Sequence, residues 1–337
     1  MNSLAEPAVS LRRKKIPQTM RAAVIQAPGV VEMREAPIPV PGPGEVRIRL
    51  EGCGVCASNL TPWEGREWFT YPFAPGDLGH EGWGMVDAVG EGVTAWEPGQ
   101  RVAALSYHAY AEYDVASASA LVALPNALHG EPFPGEPLGC AMNIFARANI
   151  RAGDTVAIIG IGFLGALLTE LASKAGARVI AIARRPWAQR IARQQGATHT
   201  IAMLDHSKII QQVRELTNDN FCDVVIEATG KQWPLDLAAE LTRIRGRLVI
   251  AGYHQDGPRQ INMQLWNWRG LDVINAHERD PEIYISGIKT AVSAVVQKHL
   301  TPDTLYTHTV PLEQLGDVLN LTRDRPDGFM KALITLQ

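Results

Sequence analysis

Cysteine is scarce in this sequence, with four among 337 residues. Cys53, Cys56, Cys140 and Cys222 lack the dense pairing of small disulfide-rich secreted domains, which favours a reducing compartment. No stretch approaches the roughly 18 consecutive apolar residues that a membrane span needs, and the N-terminal segment lacks the apolar core of a secretory signal. We therefore expect a cytoplasmic protein that does not associate with a membrane.

An excess of charge of either sign is also missing, because 32 Lys and Arg residues stand against 35 Asp and Glu residues, a formal net charge of −3. That balance gives no global attraction to nucleic acid or anionic lipid, so we expect neither as a partner. Residues 1–19 carry the basic run Arg12–Lys15. The run predicts a flexible, solvated tail, and the alternative is an arm that binds nucleic acid or a protein partner.

Two kinds of sequence pattern divide the chain, which is longer than a single hydrophobic core usually supports. From Met20 to about Ala123, short alternating apolar runs are interrupted by Gly and Pro, as in Glu45–Leu50, which indicates antiparallel β-structure. After Ala152, apolar strands alternate with helical patterns, which indicates the parallel, doubly wound sheet of an α/β fold. Six candidate strands lie near residues 155–160, 177–183, 199–203, 222–229, 246–252 and 271–277.

The C-terminal part returns to mixed structure. An amphipathic pattern that runs from Ile283 to Val296 predicts a helix, and Phe329–Ile334 has the composition of a strand. The simplest architecture is a β-rich domain of residues 20–145 and 285–337 that is interrupted by a nucleotide-binding domain of residues 146–284.

Residues 160–165 read GIGFLG and match G-x-G-x-x-G, directly after an apolar strand and at the start of a helical pattern. In that context the glycines allow a tight turn, close approach of a diphosphate and close helix packing, and the helix N-terminus favours the negative charge. The alternative is a glycine-rich turn that binds nothing. The pattern predicts that a dinucleotide binds at Gly160, Gly162, Phe163, Leu164 and Gly165.

The end of the second strand of this unit, residues 182–186, reads IARRP. Sites that prefer NAD carry Asp or Glu about 20 residues after the glycines, where the carboxylate binds the ribose hydroxyls. This chain has no carboxylate there, and Arg184 and Arg185 supply two guanidiniums that can pair with a 2′-phosphate. We therefore predict NADP(H) as the cofactor. The alternative is that both arginines are ordinary surface residues.

Four further segments carry a resemblance to a known family: GCGVCASN at 52–59, GHEG at 79–82, GQRV at 99–102 and EPL at 136–138. With the glycine fingerprint, they resemble the zinc-dependent alcohol and polyol dehydrogenases of the medium-chain dehydrogenase/reductase family, of the sorbitol and threonine type. The resemblance covers nearly the whole chain after Met20. It implies a Rossmann doubly wound parallel sheet inserted in a GroES-like β-rich catalytic domain.

The resemblance also implies a catalytic zinc ion that is held by Cys56, His80 and Glu81. Such a set of S, N and O donors leaves one position open for water or substrate. For a further contribution, the EPL segment and the ungapped spacing back from Gly153 favour Glu136 over Cys140.

Two observations bear on the number of metal ions. Residues 103–125 contain no cysteine, where many zinc-dependent relatives hold a second, structural zinc, so we predict one zinc ion per chain. Cys53 and Cys56 are alternatively a redox pair or half of a zinc finger, but no second C-x-x-C follows.

The chain departs from the family pattern at two positions. Asn59 replaces the usual Asp, which removes a charge that would steady the histidine, and Thr61 stands where some alcohol dehydrogenases have a relay histidine. We therefore predict that Ser58 passes the proton to water, or that the proton leaves through the ribose and Thr61. The resemblance further implies three residues that border the cofactor, Ala228, Gly252 and Lys331.

These expectations define a function: hydride transfer between NADP(H) and an alcohol or polyol, or the matching aldehyde or ketone, with zinc as the Lewis acid. The alternatives are a zinc-free NADPH reductase of quinones or activated double bonds on the same scaffold, and an idle NADPH-binding protein. The family also implies a homodimer along the last strand near Leu271–Ile274, or a homotetramer. The predicted catalytic residues are Cys56, Ser58, His80 and Glu81.

Overall fold

The computed structural model describes residues 18–336, so the basic run Arg12–Lys15 and most of the predicted tail lie outside the described residues. The strands are β1 (Thr19–Ala27), β2 (Val30–Pro37), β3 (Glu45–Gly54), β4 (Gly82–Val89), β5 (Arg101–Ala104), β6 (Tyr113–Ser117), β7 (Leu121–Ala123), β8 (Thr155–Ile159), β9 (Arg178–Ala183), β10 (His199–Ala202), β11 (Cys222–Glu227), β12 (Thr242–Ile250), β13 (Asp272–Asn275), β14 (Tyr306–Pro311) and β15 (Lys331–Thr335). The α-helices are α1 (Leu60–Trp63), α2 (Gly135–Ala148), α3 (Phe163–Lys174), α4 (Pro186–Gln194), α5 (His206–Thr217), α6 (Gln232–Leu241), α7 (Met263–Arg269), α8 (Pro281–Val296) and α9 (Leu315–Asp324).

A parallel six-stranded sheet contains all six strands predicted for the second half of the chain, in the order β10-β9-β8-β11-β12-β13. This order is that of two mononucleotide-binding halves joined back to back, which confirms the doubly wound Rossmann sheet. The observed β11 and β13 end before the predicted strands do, because residues 228–230 and 276–280 leave the ladder and form loops at the carboxyl edge.

The central strand β8 shows why the sequence forms this sheet. Val156 and Ile158 contribute to the hydrophobic cluster on one face of the sheet, and Ala157 and Ile159 to the cluster on the other. All four side chains are fully buried. A strand that is covered on both faces has no polar side, so it appears in the sequence as a continuous apolar run.

A second, seven-stranded sheet has the order β14-β15-β3-β4-β5-β7, and β6 pairs with β3. Its strands come from both ends of the described chain, since β15 pairs antiparallel with β3. The polypeptide therefore leaves this β-rich part after β7, builds the parallel sheet, and returns with β14, which confirms the predicted GroES-like part with an inserted Rossmann sheet. The domain limits at residues 145 and 285 stay a prediction.

Helix α8 follows the parallel sheet and packs on α2. Ile285, Ile288 and Ala291 are buried on the inner side, whereas Ile283 and Val296, which belong to the predicted apolar pattern, are 48% and 41% exposed. The buried stripe is therefore narrower than the pattern predicts.

Strand β13 forms one edge of the parallel sheet, and three of its four residues are exposed. The pairing of two copies along this edge stays a prediction. Among the helices of residues 18–336, none combines the length and the apolar character that a membrane crossing requires.

Candidate metal and cofactor site

Neighbouring strands of the β-rich sheet bring Cys56 and the His80-Glu81 pair together. The end of β3 faces the start of β4, because Cys53 pairs with Gly82 in the antiparallel ladder. Cys56 lies just after β3, where its Sγ accepts a hydrogen bond from the backbone N–H of Ser58 at 3.5 Å. His80 and Glu81 lie just before β4. The register of the sheet therefore places these residues side by side although 24 positions separate Cys56 from His80 in the sequence.

Cys56, His80 and Glu81 each offer one ligand atom, and the three atoms lie within 4.8 Å of one another. Thiolate, imidazole and carboxylate are the donors that a catalytic zinc site uses, with three protein ligands and one open position. Glu81 is fully buried, and the Lys331 ammonium lies 2.6 Å from its Oε1 and 2.5 Å from its Oε2. The chemistry of this donor set fits a divalent cation.

The protonation of His80 reflects the negative charge around it. Burial lowers the pKa of His80, but the hydrogen bond and charge of Cys56, together with the charges of Glu136 and Glu81, outweigh burial and raise this pKa to about 10. The His80 Nδ1–H donates to the carbonyl oxygen of Leu78 at 2.9 Å, which leaves Nε2 free to face Cys56 and Glu81. The site therefore concentrates anionic groups around one imidazole nitrogen.

Asn59 acts on His80 through a backbone carbonyl. Its Nδ2 donates to the Leu78 oxygen at 3.0 Å, the same oxygen that accepts from His80, and its Oδ1 accepts from the Tyr110 hydroxyl at 2.9 Å. Leu78 has a φ of 72°, a left-handed conformation that is uncommon outside glycine. Asn59 therefore fixes the carbonyl group that orients the imidazole, a role that needs the amide donor and that a carboxylate could not fill.

Replacement of Asn59 by Ala should weaken zinc binding by about 10- to 100-fold, as is typical when a group that orients a ligand histidine is removed. The measurement is a competition titration with a chromophoric chelator on the purified variant. Tyr110→Phe serves as the control, because it removes the other hydrogen bond of Asn59 and keeps the contact with Leu78. Equal zinc affinities in the wild type and Asn59→Ala would show that Asn59 only supports the fold.

Glu136 lies in the first turn of α2, outside the group of three. Its Oε1 accepts a short hydrogen bond from the Tyr284 hydroxyl and a second from Cys140 Sγ at 3.3 Å. The charge of Glu136 nevertheless contributes to the raised pKa of His80, so the carboxylate is close to the site. The prediction that Glu136, rather than Cys140, completes the metal shell stays a prediction. Tyr284 was missed at the sequence level, because its helical pattern shows only an apolar stripe.

Lys331 is 4% exposed. Its ammonium donates to Glu81 Oε1 at 2.6 Å and to the carbonyl oxygen of Val55 at 3.0 Å. The same ammonium lies 5.1 Å from the ring centroid of Phe163, in the glycine loop. Lys331, which the resemblance places at the cofactor, therefore connects the group of three with the predicted cofactor loop.

The glycine loop connects β8 to α3 as the fingerprint predicts. Gly160 has a φ of 97°, and a Cβ at Gly165 would overlap the carbonyl oxygen of Gly160, so the helix packs against the strand end only with glycine there. No atom of the described chain lies within 4 Å of the position that a Cβ would take at Gly162, which leaves room for a ligand. Phe163 and Leu164 are half-buried at the start of α3.

The loops after β11 and β12 complete the cleft at the carboxyl edge of the parallel sheet. Ala228 and Gly252 are half-buried there, at the switch point where such folds bind dinucleotides. Gln255 reaches across to the metal loop: its Oε1 lies 3.4 Å from Thr61 Oγ1, and its Nε2 lies 3.5 Å from the Ala57 carbonyl oxygen. These contacts flank Ser58. No sequence motif marks Gln255.

The two arginines after β9 have different surroundings. Arg185 Nη1 donates to the carbonyl oxygens of Phe329 at 2.7 Å and Pro326 at 3.2 Å, and the guanidinium lies 5.8 Å from the ring centroid of Trp187. Arg184 is exposed. Arg185 is thus engaged between the two parts of the chain, and Arg184 is the more accessible cation.

Comparisons with known proteins agree with this geometry. The model of the alcohol dehydrogenase GroES-like domain matches residues 42–126, and that of the zinc-binding dehydrogenase matches residues 164–291. The chain is 31% identical over 255 residues to a quinone oxidoreductase of Pseudomonas aeruginosa, covering 74% of this chain and 77% of that protein. A sorbitol dehydrogenase of Bacillus subtilis is 25% identical over 352 aligned residues, covering 95% and 98%.

Among solved structures, a protein described as a zinc-binding dehydrogenase from Sinorhizobium meliloti 1021, with NADP bound, superposes with a TM-score of 0.80 at 25% identity, covering 95% of this chain and all of that one. The chain belongs to the medium-chain dehydrogenase/reductase family, of the zinc type. The resemblance noted in the sequence is thereby confirmed.

Proposed function

We propose that this protein is a zinc-dependent oxidoreductase that transfers a hydride between NADP(H) and an alcohol or polyol, or the matching aldehyde or ketone. The observation that carries the proposal is the convergence of Cys56, His80 and Glu81 within 4.8 Å. This group lies on the β-rich sheet, and Lys331 and Gln255 connect it to the carboxyl edge of the parallel sheet. A hydride acceptor bound at that edge would face the group.

Cys56, His80 and Glu81 hold the zinc ion in this proposal, with Glu136 as a further contribution. Zinc, when bound, supplies a Lewis acid that lowers the pKa of an alcohol hydroxyl. Ser58 passes the proton to water, or the proton leaves through the ribose and Thr61, whose Oγ1 donates to the Ser58 carbonyl oxygen at 3.5 Å. The proposal includes one zinc ion per chain, because residues 103–125 contain no cysteine that could hold a second, structural zinc.

The cofactor half of the proposal rests on the parallel sheet. The backbone at Gly160, Gly162, Phe163, Leu164 and Gly165 accommodates the diphosphate, and Ala228 and Gly252 border the ribose and nicotinamide. A nicotinamide bound there would supply the hydride acceptor for oxidation and the hydride donor for reduction. Arg184 favours a 2′-phosphate because it is exposed at the end of β9, where no carboxylate would repel that group. The NADP bound to the Sinorhizobium relative supports the same choice.

Polyols or related secondary alcohols are the proposed substrates, because the similarity to sorbitol dehydrogenase extends over nearly the whole chain. The similarity to a quinone oxidoreductase keeps a zinc-free reductase as the second candidate. The group of Cys56, His80 and Glu81 favours the first, since a reductase without zinc has no need of three converging metal donors.

The test is a coupled assay of metal and turnover. Purified protein is assayed with a panel of alcohols, polyols and aldehydes, and separately with quinones. Each assay uses NADP(H) or NAD(H) and is carried out before and after a chelator removes the metal. We expect NADP⁺-dependent oxidation of at least one secondary alcohol or polyol, abolished by the chelator and restored by zinc. Quinone reduction that persists after metal removal, without alcohol turnover, would support the second candidate and contradict the proposal.

A further inference from the structure

Three arginines gather at the carboxyl end of β9, where burial and the charges of Arg325 and Arg184 lower the pKa of Arg185 and the charge of Asp327 only partly offsets them. Arg184 and Arg185 follow the strand, and Arg325 comes from the end of α9 in the other part of the chain. Within residues 18–336 none of the three forms an ion pair, and the nearby Asp327 pairs with Arg190 at 3.8 Å instead. Like charges repel one another, so a cluster of this kind is more stable when an anion lies among its members.

Arg185 contacts the backbone of the chain segment that follows α9. Its Nη1 approaches the carbonyl oxygens of Arg325 at 3.5 Å, Pro326 at 3.2 Å and Phe329 at 2.7 Å. These contacts hold the segment 325–329 against the end of β9. These contacts occupy Nη1 of Arg185 and anchor this side chain to the segment, whereas Arg184 and Arg325 make no such contacts through their terminal nitrogens within residues 18–336.

Arg325 lies at the end of α9, where the segment that follows this helix meets the end of β9. Part of the Arg325 side chain is exposed to solvent. The surrounding protein and, next, the charge of Arg184 lower the pKa of its guanidinium, whereas the charge of Cys56 raises this pKa. Water reaches such a group from one side while protein flanks the others. Since its carbonyl oxygen lies 3.5 Å from Arg185 Nη1, Arg325 stands beside the end of β9, where the dinucleotide is expected to bind.

The Arg325 side chain is held in place by its own helix end. Its Nε donates to the carbonyl oxygen of Thr322 at 3.2 Å, and the residue ends α9 with a φ of 47°. One face of the guanidinium is thereby fixed, and its remaining N–H groups are available. A guanidinium with free parallel N–H groups matches the oxygens of a phosphate.

We propose that Arg325 binds a phosphate group of the dinucleotide, and so adds a cofactor ligand from the catalytic part of the chain to the glycine loop and Arg184. The inference rests on the proposed NADP(H)-dependent function. A phosphate between Arg184 and Arg325 would offset their repulsion and would hold the two parts of the chain together around the cofactor. The phosphate is either the 2′-phosphate or the diphosphate, and the two are separable by experiment.

The test uses Arg325→Gln and Arg325→Asn, the second because asparagine accepts the left-handed conformation more readily than most residues. Arg323→Gln is the matched control, because this substitution removes the same charge two positions away. Arg323 is paired with Asp324 at 2.7 Å. Calorimetry measures the binding of NADPH, NADH, 2′,5′-ADP and 5′-ADP to the full chain, without substrate. Circular dichroism and the melting temperature establish that each variant is folded.

We expect both Arg325 variants to bind NADPH about 10- to 100-fold more weakly than the wild type, the effect of losing a charge-assisted hydrogen bond. A loss that is confined to NADPH and 2′,5′-ADP assigns Arg325 to the 2′-phosphate, and a loss shared by NADH and 5′-ADP assigns it to the diphosphate. Affinities within about twofold of those of Arg323→Gln for all four ligands would overturn the inference. A wild type that binds NADH as tightly as NADPH would instead contradict the proposed cofactor preference, whatever the Arg325 variants do.

Discussion

Replacement of Cys56 by Ala is expected to remove zinc and to lower kcat/KM for alcohol oxidation on the order of 1000-fold or more, because the Lewis acid contributes several kcal/mol to the transition state. Cys56 supplies the only thiolate of the group of three. The measurement combines metal analysis by mass spectrometry with steady-state kinetics on the same preparation. We expect less than about 0.1 zinc per chain in the variant.

Cys53→Ala is the matched control for this variant. Cys53 lies three positions earlier, near the end of β3, is fully buried, and donates from Sγ to the Gly54 carbonyl oxygen at 3.3 Å. It belongs to β3 and lies outside the group of three, so its removal should cost about 1 kcal/mol of stability and leave zinc in place. Full zinc occupancy and normal turnover in Cys56→Ala would contradict the proposed metal site.

Replacement of Lys331 by Met should lower the free energy of unfolding of the metal-free protein by about 3–5 kcal/mol, the effect of leaving one partner of a buried ion pair unpaired. The partner is Glu81, whose Oε1 and Oε2 lie 2.6 and 2.5 Å from the Lys331 ammonium. Zinc supplies a second positive charge beside the same carboxylate. The loss should therefore be smaller in the zinc-loaded protein, and urea unfolding with and without a chelator measures the difference.

The double variant Lys331→Met/Glu81→Gln separates charge from packing. With no charge left at position 81, the metal-free double variant should recover most of the stability that Lys331→Met loses. A double variant as unstable as the single one would mean that the loss comes from the packing of Lys331 against Phe163 and Val55, and that the ion pair contributes little.

The parts of the fold that were predictable from sequence are those with local signals. The apolar run at Val156–Ile159 identifies a doubly covered strand, and Gly160, Gly162 and Gly165 each have a local backbone task. The spacing of such runs also gives the number of strands in the parallel sheet. The narrower stripe of α8 was not predictable, because Ile283 and Val296 fit the helical period and only tertiary packing decides which turns are covered.

The candidate site divides in the same way. Cys56, His80 and Glu81 stand in short motifs, and the register of β3 against β4 brings those motifs together. The contacts that tune the site are long-range and have no motif: Tyr284 reaches Glu136 from a helix 148 positions away, and Arg185 reaches Phe329 over 144 positions. Sequence alone could assign Arg185 a charge, but its partners depend on how the two parts of the chain pack.

X-ray absorption at the zinc edge of the purified protein tests the central claim most directly. The account predicts tightly bound zinc at about one ion per chain, with one sulfur neighbour at about 2.3 Å and the remaining neighbours nitrogen or oxygen at about 2.0–2.2 Å. In Cys56→Ala, the sulfur neighbour should disappear from the spectrum together with the bound zinc. A shell without sulfur, a shell of four sulfurs, or protein that binds no zinc after reconstitution would contradict the account.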